Sequence, residues 1–300
     1  EEDCAQRTRL KPFFSPLTGA NWLLFAPSSL LSGFRLPGAW MSNSRTRADN
    51  GLLAFAGIIL GVCAFAHDSA RAANAASPCS PFVFEGSDYT ICVLDLRTYE
   101  LRLYWKDENG QPYGGFNRLP RSVNGIPIAF AMNAGMYEAD LSPVGLYVEH
   151  GKTLKRANTA KGPGNFHIQP NGVFYLSDQT AGVLTTQRFL TVHPRADFAT
   201  QSGPMLVIDG KIHPRIRPRM TSRKIRNGVG VRDSHTVVLA ISDDPVTFWE
   251  FARLFREGLG IPNALFLDGS ISSLYVPALH RDDALFPMGP IIVGIQRIEH

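Results

Sequence analysis

The 300-residue sequence lacks most of the short signatures by which enzymes are recognised. It has no H-E-x-x-H and no C-x-x-C, so the usual zinc spacings are missing. It has no G-x-S-x-G, which leaves a nucleophile elbow and its hydrolase triad without support. Neither a Walker loop nor a dinucleotide fingerprint occurs. Net charge is only +4, which argues against a global polyelectrolyte role. There are four cysteines, no internal repeat and no low-complexity tract. The main apolar run, LLAFAGIILGVCAFA from Leu52 to Ala66, is short beside the roughly 20 residues of a membrane span. What remains is an ordinary globular composition, 44% hydrophobic and 19% charged, able to bury a sizeable core.

The first 75 residues do not read as folded protein. Residues 1–40 carry scattered Pro, Gly and Ser without a sustained period. Met41 is followed by Arg45 and Arg47, then by the apolar run, then by HDSARAANA. A basic start, a short apolar core and a small-x-small exit match a secretory signal peptide, with cleavage after Ala72 or Ala75. The competing reading is an uncleaved N-terminal anchor. The expectation is that residues 1–40 are upstream sequence translated by mistake and that 41–72 is the signal peptide. The domain then occupies 77–300, exported to a periplasm or secreted, with no stable membrane span after cleavage. Two cysteines survive, Cys79 and Cys92, and an even pair in an exported chain favours a disulfide over two buried thiols.

Strand patterns dominate the remainder. YTICVLDL (89–96) and ELRLYW (100–105) read as a hairpin, and IPIAFAMN (126–133) as a buried strand ending at Asn133. VGLYVEHGKTLKR turns at His150-Gly151, NGVFYLSD and GVLTTQRFL continue the strand pattern, and PMLVIDGKIHP turns at Asp209-Gly210. GVGVRDSHTVVLAIS is a further hairpin, and PIIVGIQRI (290–298) a closing strand. One helix is clear: TFWEFARLFREGLG has apolar residues at helical spacing, a Thr247/Glu250 capping box and a glycine stop. These patterns predict a single α+β domain of mixed or antiparallel sheets with few helices.

Four segments place glycine and polar residues where an apolar strand ends: AMNAGMY, ATQSGPM, RKIRNGVGV and LFLDGSISS. Strand ends on a rigid scaffold are common positions for binding groups, and glycine permits close approach. Each alone also fits a plain turn. The run RIRPRMTSRKIR, with Arg215, Arg217, Arg219, Arg223, Lys224 and Arg226, has no interleaved aromatics for base stacking. A solvated loop is the bland reading; an anion site is favoured, since arginine pairs bidentately with phosphate or carboxylate, and nucleic acid is not expected as a partner. Seven histidines follow the signal region, among them His150, His167 and His213, and most of them read as surface or loop residues.

In order, AMNAGMY, SPVGLYVEHGK, GNFHIQPNGVF, QSGPMLVIDGKIHP, RNGVGV and ALFLDGSISSLY resemble the phosphodiester glycosidase family, and within it the bacterial exported YigE-like branch, over about residues 89–276. The resemblance implies hydrolysis of a sugar C1–O–phosphate bond in a sugar-1-phosphodiester, with an N-acetylglucosamine-type substrate. The alternative is a non-catalytic periplasmic domain that binds glycan or cell-wall polymer. The implied catalytic residues are Asp268 as nucleophile or base, Asn133, and Arg226 at the phosphate. Gly135, Ser202, Gly203, Arg223, Asn227, Gly269, Ser272 and Ser273 form the implied substrate-binding set. Glu138 and Asp140 are the nearest candidates for a second carboxylate, whereas Asp209 reads as a turn residue. No cofactor or metal site is evident, and a divalent cation is left open; the partner is a glycan or sugar phosphate. One departure stands out. The family motif Asp-Gly-Gly-Gly-Ser is here Asp268-Gly269-Ser270-Ile271-Ser272.

Overall fold

The computed structural model describes residues 77–269, 271–283 and 286–298. The expectations for residues 1–40 and 41–72 lie outside the described residues. In chain order the first strands are β1 (Cys79–Phe84), β2 (Ser87–Asp95), β3 (Tyr99–Tyr104), β4 (Ser122–Val123), β5 (Ile126–Asn133) and β6 (Tyr147–Glu149). There follow β7 (Lys152–Lys155), β8 (Gly172–Ser177), β9 (Thr180–Thr185), β10 (Phe198–Ser202), β11 (Met205–Ile208) and β12 (Lys211–Ile212). The last are β13 (Asn227–Asp233), β14 (Thr236–Ser242), β15 (Asn263–Asp268), β16 (Leu274–Val276), β17 (Arg281–Asp282) and β18 (Ile291–Gln296). Helix α1 (Thr186–Val192) follows β9, and α2 (Phe248–Arg253) follows β14.

Three sheets result. One runs β1-β2-β14-β13-β15-β11-β12, the second β7-β6-β10-β8-β9, and the third β17-β16-β5-β18-β3 with β4 on β5. Alternation along the strands explains how they stack, because successive side chains leave opposite faces. In β15, Leu265 and Leu267 enter a central core, while Ala264 and Phe266 face the other way, toward α2. In β5, Phe130 and Met132 enter the same central core, and Ile128 and Ala131 enter a separate cluster on the outer face. Phe174 and Leu176 of β8 close that core from the second sheet. All three sheets thus share one apolar centre.

The sheets are antiparallel at every strand pair among the described residues and carry two short α-helices, within the expectation of mixed or antiparallel sheets with few helices. Two local expectations are corrected. The segments 89–96 and 100–105 do not pair with each other: β2 lies between β1 and β14, and β3 pairs with β18. At the corner, Asp95 accepts from the backbone N–H groups of Arg97 and Thr98. Leu94 and Leu101 both enter the central core. The hairpin partner of β2 is β1, and Cys79 and Cys92 are register partners joined by a disulfide. GVLTTQRFL is half strand and half helix, because Thr185 Oγ1 accepts from Arg188 N and caps α1. The other turns fall as read. His150-Gly151 and Asp209-Gly210 both have positive φ, and the Thr247/Glu250 capping box is formed. Beyond Arg253 the helix widens into a π turn, Leu254–Gly258.

Candidate active site

The polar strand ends meet beneath one turn. Asn227, the first residue of β13, pairs in register with Asp268, the last of β15. Its Oδ1 accepts from the Asp268 backbone N–H at 2.9 Å. Its Nδ2 donates to the backbone O of Asn133 at 2.8 Å and to Asn133 Oδ1 at 2.9 Å. Asn133 Oδ1 also accepts from Ser273 N at 2.8 Å. Ser272 Oγ donates to the Asp268 carbonyl at 2.8 Å, and Ser202 Oγ donates to the Leu267 carbonyl at 2.7 Å. Asn133, Ser202, Asn227 and Ser273 are buried, so each satisfied bond avoids a desolvation cost of about 1–3 kcal/mol. Asn133 Nδ2 is buried and has no hydrogen-bond partner among the described residues.

Asp268 itself is half-buried, and its Oδ1 accepts from Gly269 N at 2.6 Å. It lines a cleft of about 440 Å³ together with Tyr137, Glu138, Phe166, His167 and Ile271. Tyr137 donates to the Pro287 carbonyl at 2.6 Å, and burial, followed by the negative charge of Asp268, pushes its phenol well above the usual range. Ile271, at one of the positions where the family motif has glycine, stands in this lining. Glu138 shares the cleft with Asp268. Asp140 lies outside its lining, exposed, and its Oδ1 accepts from the Ser142 backbone N–H.

Arg226 sits behind the turn. It is 2% exposed, with its guanidinium carbon 3.8 Å from the Phe248 ring centroid and 5.6 Å from that of Phe266. Nε donates to the Val246 carbonyl and Nη2 to that of Ser222. Nη1 lies 3.5 Å from where a side chain on Gly269 would begin. Burial lowers its pKa to about 10, which keeps the group charged at neutral pH. A cation held by carbonyl dipoles and two aromatic faces is retained at lower cost than a bare one. Arg223, only three residues away, does not join this arrangement. It is bound to Glu250 at 2.9 Å and to the Pro245 carbonyl.

The glycines divide by purpose. A Cβ on Gly135 would stand 2.5 Å from Thr200 Oγ1, so AMNAG packs its backbone directly on β10. On Gly203 a Cβ would stand 2.6 Å from Asn171 Cβ. Gly228 and Gly230 leave room for Phe251, Phe255 and Ile261. These glycines serve packing between elements, and the glycine nearest the carboxylate is Gly269.

Sequence reasoning singled out no wall residue from the loop before β8, although KGPGNFH carries a dense glycine-proline signal. Gly164, Asn165 and His167 from this loop line the Asp268 cleft. Buried Gln201 holds the loop in place: Nε2 donates to the Asn158 carbonyl at 2.7 Å, and Oε1 accepts from Asn158 N at 2.9 Å. No group of three or more His, Cys, Asp or Glu side chains among the described residues could hold a metal ion. No helix among the described residues is long and apolar enough to cross a membrane.

A fold of three antiparallel sheets with buried polar strand ends beneath an Asp-Gly turn defines the class to which the chain can be compared. A phosphodiester glycosidase family model matches residues 127–286, just over half of the chain, and the chain belongs to that family. It is 37% identical over 195 residues to the uncharacterized protein YigE of Escherichia coli K12, covering 63% of this chain and 76% of that protein. In fold it is similar to the catalytic domain of zebrafish N-acetylglucosamine-1-phosphodiester alpha-N-acetylglucosaminidase, auto-inhibited by pro-peptide. That likeness has a TM-score of 0.51 at 14% identity, over 73% of this chain and 82% of the other.

Proposed function

We propose that the protein hydrolyses the sugar C1–O–phosphate bond of a sugar-1-phosphodiester, with Asp268 as the carboxylate at the reacting carbon. The observation that carries this reading is the set of strand ends from β5, β10, β13 and β15 bonded together beneath Asp268, with the carboxylate on the wall of a cleft. Asp268 acts as nucleophile or as base for a water. The C1–O bond breaks, its electron pair leaves on the phosphate oxygen, and water supplies the new anomeric hydroxyl. A phosphomonoester is a good leaving group, so strong general-acid assistance matters less than stabilising positive charge on the sugar ring. Glu138, on the same cleft wall, is the second carboxylate of the pair.

Asn133, Asn227, Ser202, Ser272 and Ser273 position the Asp268 turn. Arg226 supports the turn from behind as a fixed positive charge next to Gly269. Gly135 and Gly203 keep the strand ends close. Ile271 narrows the cleft and sets which sugar fits. The disulfide agrees with export to an oxidising compartment, periplasmic or extracellular.

The test is an assay of released sugar and phosphomonoester from an N-acetylglucosamine-1-phosphodiester, comparing wild type with Asp268→Asn. Turnover is expected to fall by about 10³-fold or more with the melting temperature held. Equal turnover in the variant would remove Asp268 from the mechanism. Binding of the diester without turnover by wild type would make the protein a glycan-binding domain.

A further inference from the structure

The Asp268 cleft does not end at His167. A second hollow of about 540 Å³ shares Gly164, Asn165 and His167 with it and adds Lys161 and Arg215. The two halves differ in charge. The first is lined by the carboxylates Asp268 and Glu138 and by no lysine or arginine; the second is lined by Lys161 and Arg215 and by no carboxylate. Both cations are exposed, and neither has an ion pair among the described residues. The frame behind them is fixed. The Arg215 backbone N–H donates to Nδ1 of the buried His213 at 3.0 Å. On the other side, Gln201 holds the Asn158 end of the loop that carries Lys161. At the junction, His167 Nδ1 lies 2.8 Å from the Ala160 carbonyl and therefore carries the proton, which fixes the ring.

We propose that the Lys161–Arg215 hollow is the aglycone subsite, and that the preferred aglycone carries an anionic group of its own beyond the scissile phosphate. This rests on the hydrolase reading above for its orientation. A sugar whose C1 meets Asp268 places its phosphate toward the junction, and the group esterified to that phosphate extends past His167 into the basic half. Two cations on one hollow, without ion-pair partners among the described residues, favour an added phosphate or carboxylate there, through charge-assisted hydrogen bonds. The basic run of the sequence thus divides. Arg223 and Arg226 are bound into the fold, and Arg215 faces the cleft.

The experiment compares two N-acetylglucosamine-1-phosphodiesters, one with a neutral alkyl aglycone and one with the same chain ending in a phosphate or a carboxylate. The anionic substrates are expected to have a kcat/KM about 10-fold or more higher, with the ratio falling as NaCl rises. Lys161→Gln with Arg215→Gln should bring the ratio close to 1. A phosphate-only gain would assign the hollow to phosphate, and a gain with both to anions in general. No preference in wild type, or a preference that survives the double substitution, would overturn the proposal. Binding of the same compounds to Asp268→Asn separates this from the hydrolase reading. If wild type turns over neither diester, a tighter grip on the anionic compound that is lost with the Lys161 and Arg215 substitutions still supports the subsite. Equal affinity for both compounds sinks it.

Discussion

Beneath the cleft, polar side chains are buried and bonded to each other; along its rim they are exposed, and two cations stand without ion-pair partners among the described residues. Asn133, Asn227, Ser202 and Ser273 belong to the floor. Glu138, Lys161 and Arg215 belong to the rim. A buried polar group must be satisfied in the folded protein, so the floor specifies geometry. An exposed charge contributes little to stability but attracts a ligand of opposite sign, so the rim specifies selection. If this division holds, floor substitutions should alter stability and turnover together, substitutions of the rim cations Lys161 and Arg215 should alter only which substrate is preferred, and Glu138, the rim carboxylate beside Asp268, should affect turnover.

Asn227→Ala tests the division with the largest effect after Asp268→Asn itself. It removes the acceptor of the Asp268 N–H and both donations to Asn133. Stranding these buried groups should cost about 4 kcal/mol, read as a lower urea midpoint at unchanged m-value. Turnover should fall about 10²-fold as well, because the carboxylate loses its fixed position. Loss of stability with full turnover would show that the floor does not hold Asp268.

His213 lies under the rim and is expected to act through pH. Burial, reinforced by the charge of Arg215, lowers its pKa to about 4 from an ordinary value near 6.5. Above pH 6.5 the folded and unfolded chains are both neutral here. As the pH falls from 6.5 toward 4, the unfolded chain takes up the proton first, so stability declines by about 3 kcal/mol over that window. His213→Asn offers an acceptor to the Arg215 N–H and does not titrate. Its stability should therefore fall less between pH 7 and pH 4 than that of wild type, measured by urea denaturation across the range. Parallel curves would mean that His213 titrates normally.

The floor was largely legible in the sequence; of the rim, Glu138 and Arg215 stood out there, but Lys161 and its place beside Arg215 did not. Asn133, Ser202 and Asp268 are the last residues of β5, β10 and β15, Asn227 is the first of β13, and Ser272 and Ser273 come just before β16; a polar residue at the boundary of an apolar run is a local pattern. The rim depends on which loops the sheets bring side by side. Lys161 and Arg215 are far apart in the chain, and nothing local marks them as neighbours. The same limit explains the hairpin expected at 89–105. The two strands are consecutive and each is correctly patterned, but which sheet a strand joins depends on distant partners, β14 for one and β18 for the other. Arg223 and Arg226 illustrate it at closer range: two arginines three residues apart, one in an exposed ion pair and one buried behind the turn.

The glycines of RNGVGV give the sharpest control on the division, since the sequence leaves them open to a plain turn or to ligand approach. Gly230 lies on the α2 side of its sheet, where a Cβ would come within 2.5 Å of Ile261 Cγ2 and 3.1 Å of Phe255 Cδ1. Ile261 and Phe255 are themselves fully buried against Phe251 and Phe266, so the added methyl has no free space to enter. Gly230→Ala should therefore overpack this layer and cost about 2 kcal/mol, visible as a lower melting temperature. The contact surface is helix against sheet and includes no residue of the cleft lining. KM and the anionic-to-neutral aglycone ratio should stay at wild-type values in the folded variant. A change in either, at temperatures where the variant is folded, would put these glycines back at the ligand and move the boundary of the site to the far face of β13.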